Sequence, residues 1–150
     1  MKCKKRSIKF NFLNKNNRIY TEYNSDLDNF KLKIKKGVYG TFDYDANDFQ
    51  VDLSKISHKI EELEIINNTL YVTISTLNTD KGKILDMLIK DNAYFTLSSQ
   101  AIGNVNDDYT VNVDELITFN VSVGIEEDAF ITVKDIRKLK LEKIKEKYEI

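Results

Sequence analysis

The sequence has no proline and no tryptophan, one cysteine, one histidine, two methionines and five glycines in 150 residues. The lone Cys3 rules out an intrachain disulfide, and there is no CxxC pair or Cys/His cluster to hold a structural zinc. One histidine, His58, limits imidazole chemistry to a single position. Neither sign of charge is in excess: 23 Lys and Arg face 24 Asp and Glu, a net charge of −1. A general nucleic-acid binder carries a strong basic excess, so no specific nucleic-acid partner is expected. No apolar run approaches the roughly 18 residues of a membrane span, and the basic N-terminus is not followed by the apolar stretch of a signal peptide. No membrane association, metal or cofactor is expected, and the setting expected is a reducing cytoplasm.

What is present is alternation. Hydrophobic residues make up 41% of the chain and charged residues 31%, as in a globular domain with a real core. "RSIKFNF" (Arg6 to Phe12) alternates as a strand, and Leu27, Phe30, Leu32 and Ile34 fit a short helix. The stretch from Lys35 to Gln50 reads as a loop with short extended pieces. Ile56, His58 and Ile60 alternate with polar residues, as do Leu63 and Ile65, then Leu70, Val72 and Ile74 beyond Asn67-Asn68. Asparagine tolerates the positive φ of a tight turn, so this is a β-hairpin. Thr79 to Asp91 takes helical period, with Thr79 as cap and Ile84, Leu85, Leu88 and Ile89 as its apolar stripe. "YFTLSS" (Tyr94 to Ser99) and the run through Ile117, Phe119, Val121 and Val123 are strands. The tail from Lys134 to Ile150 is a lysine-rich amphipathic helix, expected to add little to the core. The fold expected is α+β, mainly β. It is a bent antiparallel β-barrel of about seven strands with flanking helices, in one domain over residues 1–133 with the C-terminal helix at 134–150.

The hydroxyl pair Ser98-Ser99 closes its strand next to Gln100 and Ala101. If Phe95 and Leu97 face the core, alternation turns Ser98 away from it and Ser99 inward. A serine needs a base to become a nucleophile, and His58 is the single imidazole available. Asn120, on the polar face of the strand around Phe119, is a candidate to orient the ring, and Asp114, Glu126 and Glu127 lie at that strand's ends. The plain alternative is a half-buried histidine and a strand that ends in turn-forming serines.

The order of segments bears on that choice. "NKNNRIY", "GVYGTFDYDANDFQVDLSKISHKI", "NTDKGKILDMLIKDNAYFTLSSQAIGNV" and "DELITFNVSVG" follow one another. Together they resemble the prohead maturation proteases of T4-like tailed bacteriophages, with their "NGRIYP", "GELDHP…SHVI", "DTPAGKIL", "GVSSRGLG" and "FDVV" segments. The resemblance runs from about Asn14 to Asp128. It implies a fold like that of the herpesvirus assemblin proteases. It also implies a serine endopeptidase that cleaves scaffold and capsid proteins inside the prohead, in the host cytoplasm, and that can form a homo-oligomer. On it, His58 matches the histidine of "SHVI", Ser98 the first serine of "VSSR", and Asn120 the acid of "FDVV". Ser99, Gln100 and Ala101 then supply the candidate oxyanion N–H donors. Two positions depart from the pattern: Gln100 stands for an arginine, and Asn120 for an acid whose loss costs a Ser-His-Asp enzyme about 10⁴ in kcat. A catalytically silent scaffold or assembly protein that keeps the fold is the alternative these departures raise.

Overall fold

The computed structural model describes residues 1–42, 51–122 and 129–148. Its elements are β1 (Lys2–Lys9), α1 (Leu27–Lys36), β2 (Tyr39–Thr41), a 3₁₀ turn (Leu53–Lys55), β3 (Ile56–Ile66), β4 (Thr69–Thr76), α2 (Asp80–Lys90), β5 (Thr96–Val105), β6 (Val111–Ser122), β7 (Ala129–Thr132) and α3 (Val133–Tyr148). Part of the expected loop before Gln50, residues 43–50, lies outside the described residues, as does Val123. The strands form a four-stranded sheet in the order β1-β4-β3-β2 and a three-stranded sheet in the order β6-β5-β7. Every pairing of these strands is antiparallel except β5 with β7, which is parallel, in keeping with a mostly antiparallel fold. One parallel bridge, Phe42 with Val121, joins the sheets through β2 and β6. Among the described residues no helix is long and apolar enough to cross a membrane.

Local chemistry explains the elements. Asn67 (φ 49°) and Asn68 (φ 61°) both adopt the left-handed conformation. Two such residues in succession match the twist of a two-residue hairpin, here closing β3 onto β4. The alternation in β3 changes phase between Ile60 and Leu63 because Glu61 is an extra residue: Ile60 pairs with Ile74, while Glu62 pairs with Thr73. Strand β1 starts four residues earlier than its apolar letters suggest. Lys5 is half-buried there, and its ammonium sits 4.5 Å from the centre of the Phe95 ring. Helix α1 places Phe30 edge-on against Phe119, ring centres 5.4 Å apart and planes at 82°. Both rings are fully buried in a core shared with Ile60, Leu70, Val72, Ile74, Leu85 and Leu97. The α2 stripe is narrower than expected, for Leu85 is buried and Ile84 is exposed. On α3, Leu141 and Ile144 are more than half exposed.

The start of α2 is tied to β3. Thr79 Oγ1 accepts from the Gly82 amide (3.0 Å) and donates to the Ile56 carbonyl (2.6 Å). A side chain at residue 82 would place its Cβ 2.0 Å from the Leu77 carbonyl oxygen, so glycine alone fits beneath that turn. Thr79→Ala removes the cap and leaves the Gly82 amide unpaired. The expected loss is about 1–2 kcal/mol in urea unfolding, with the m-value unchanged.

Candidate active site

Strand β5 continues through the serine pair instead of ending there. Ser98 pairs with Asn120 and Ser99 with Phe119, and the ladder runs on to Val105. With β6 on one side and β7 on the other, β5 is a central strand. Ser98 is accordingly 5% exposed and Ser99 2%. The expectation of an accessible hydroxyl at a strand end is corrected on both counts: pairing with β6 carries the strand past the two serines, and both are buried.

Directly opposed residues share a face, so Ser98 and Asn120 point the same way. Asn120 is wholly buried and fully engaged. Its Oδ1 accepts from the Thr41 amide (3.0 Å) and the Thr41 hydroxyl (2.9 Å), and its Nδ2 donates to Gln100 Oε1 (2.9 Å). A backbone N–H can only donate, which fixes the orientation of the amide. Asn120 therefore ties β2 to β6, and it is not hydrogen-bonded to His58. The two departures from the family pattern meet here. Positions 100 and 120 touch, so an Arg and an acid at these places can form an ion pair, and Gln and Asn form a neutral amide pair in its stead.

His58 is wholly buried on β3. Its Nε2 lies 2.8 Å from the Phe119 carbonyl and its Nδ1 2.7 Å from Ser57 Oγ. A carbonyl only accepts, so Nε2 carries the proton and Nδ1 accepts from the Ser57 hydroxyl. The ring reaches Phe119 by passing over Gly40 of β2. A Cβ at residue 40 would lie 2.0 Å from His58 Nε2 and 2.2 Å from the Phe119 oxygen. Ser57 is the extra residue of a bulge, since Gly40 pairs with His58 and Thr41 with Ile56. That bulge brings the hydroxyl of Ser57 beside the neighbouring ring. Gly40 and Thr41 are adjacent on one strand and face opposite ways. His58 meets β2 on the Gly40 face and Asn120 meets it on the Thr41 face. The structure thus brings Ser98, Gln100 and Asn120 together and keeps the imidazole across β2 from them. Ser99 projects opposite to Ser98 and its buried hydroxyl has no hydrogen-bond partner among the described residues.

Sequence reasoning missed Ser57, Gly40 and Thr41. A serine beside the sole histidine was a visible signal. The glycine opposite it was not, because its need is set by a contact with β6.

Burial lowers the His58 pKa from 6.5 to about 4, partly opposed by the hydrogen bond to Phe119, which favours the protonated ring. A depressed histidine contributes stability that is full above pH 6.5 and lost as pH falls toward 4, because the unfolded chain takes up a proton that the folded chain refuses. The expected loss over that window is roughly 3 kcal/mol. NMR titration of the single imidazole checks the midpoint, and Gly40→Ala, which expels the ring from Phe119, is expected to return it toward 6.5. A double-mutant cycle checks the amide pair. Gln100→Arg and Asn120→Asp should each destabilise, and the double variant should recover about 1–3 kcal/mol of the sum.

No family model matches the chain, and no curated protein matches it. Among solved structures it is similar to the bacteriophage T4 capsid assembly protease, gp21, with a TM-score of 0.60 and 20% sequence identity. The match covers 83% of this chain and 79% of that one. The chain thus shares its fold with the T4 capsid assembly protease over most of both chains.

Proposed function

We propose that this chain is a serine endopeptidase of phage capsid maturation, acting on capsid and scaffold proteins inside the prohead. The observation that carries this reading is the fold shared with a capsid assembly protease over most of both chains. The two sheets, joined at β2 and β6, correspond in this reading to the bent barrel of that fold.

Ser98 is the proposed nucleophile and His58 the general base. The imidazole is hydrogen-bonded to the Phe119 carbonyl and to the Ser57 hydroxyl, so on this assignment the ring must leave both partners to reach Ser98. The imidazole lone pair then takes the Ser98 proton while Oγ bonds to the scissile carbonyl carbon. The C–N bond breaks, and the imidazolium returns its proton to the leaving amine. A water repeats the sequence to free the acyl group. The backbone N–H groups of Ser99, Gln100 and Ala101 are the candidates to hold the oxyanion.

Co-expression with the capsid and scaffold proteins of the same phage tests this. Wild type should cut them, and Ser98→Ala and His58→Ala should each lower the rate about 10³-fold or more. The double variant should be no slower than either, since the two groups act as a unit. Intact substrates beside folded wild-type chain, with binding to capsid protein retained, would establish the silent assembly protein instead.

A further inference from the structure

We infer a docking surface for an acidic polypeptide segment at the C-terminal end of β1. The surface is distant in sequence from Ser98 and His58, and the inference stands whether or not the chain cuts peptides. A cavity of about 400 Å³ opens there, against the strand and the loop that follows it. Its charged lining residues are Arg6, Lys9 and Lys15, with no acid among the lining. In a chain of net charge −1 this is a local excess of one sign. Phe12 and Leu13 line the same cavity and stay 50% and 47% exposed. The Lys9 ammonium lies 4.5 Å from the centre of the Phe12 ring, holding that ring and the charge at one place. The Ser7 hydroxyl, also in the lining, is buried with no hydrogen-bond partner among the described residues.

The strand itself extends the surface. β1 is the outer strand of its sheet, paired with β4 on one side. Its sequence, KCKKRSIK, carries five cations in eight residues, of which Lys4 is ion-paired with Glu64 of β3. β5 packs against part of its other side, and the remainder of this outer strand offers backbone donors and acceptors to an extended chain. The occupant that satisfies all of these is an extended segment with carboxylates for the lysines and one apolar side chain for Phe12 and Leu13. An oligonucleotide supplies the charge but not the aliphatic side chain.

Fluorescence anisotropy with the full chain tests this, using a labelled twelve-residue peptide of alternating Glu and Leu. The Glu/Leu peptide should bind at least tenfold more tightly than its Lys/Leu counterpart or a single-stranded oligonucleotide of equal charge. Raising salt from 0.1 to 0.5 M should weaken it several-fold. The Lys9→Glu/Lys15→Glu variant should lose at least tenfold, and the milder Lys9→Gln/Lys15→Gln variant, with an unchanged melting curve, should lose part of it. Equal binding of the two peptides, tighter binding of the oligonucleotide, or unaltered affinity in both lysine variants would overturn the inference.

Discussion

The structure depends on how closely β2 approaches β6. The described strands form two separate sheets, and a single backbone bridge, Phe42 to Val121, spans the gap between them. One bridge cannot hold two sheets in register. Side chains clamp the seam from both faces: Asn120 on Thr41 from one, His58 on the Phe119 carbonyl from the other. Thr118 adds a third tie by donating to the Tyr39 carbonyl (2.7 Å). Residue 40 must be glycine for the strands to come this close, because the imidazole and the Phe119 carbonyl oxygen both occupy the space of its Cβ. Buried hydrogen bonds of this kind are each modest in net worth but costly to leave unmade, so the seam closes as a set.

That seam accounts for the character of the site. The same contacts that join the sheets hold the imidazole as a neutral group with both nitrogens engaged. A catalytic histidine in this fold would therefore be in competition with its own structural role. The amide pair at positions 100 and 120 fits such a place. Charges there would need mutual compensation in a buried setting, and two amides need none.

Much of the frame was legible in the sequence. Asn67-Asn68 gave the hairpin, because two residues that tolerate positive φ between alternating runs admit few other turns. Thr79 gave the start of α2 through its side-chain cap. The resemblance of ordered motifs pointed to the fold. What was not legible lay in contacts between distant segments. The extent of β5 is set by β6 and β7 on either side, which YFTLSSQAIGNV alone does not show. The facing of His58 turns on a bulge at Ser57, and alternation counted along one strand cannot see a residue left out of the pairing. The reach of β1 was hidden by its run of cations, which reads as polar while the backbone pairs with β4 from Lys2 onward.

The cationic outer edge of β1 has a consequence for how copies of the chain meet. An unpaired strand edge invites a second identical edge, the first step of open-ended stacking. Here the second edge would bring five more cations against five. Like charges across a strand pair oppose it, so homotypic pairing at this edge is disfavoured while a heterotypic acidic strand is admitted. The discrimination resides in the sign of charge along one strand, and it acts at every concentration at which two copies meet.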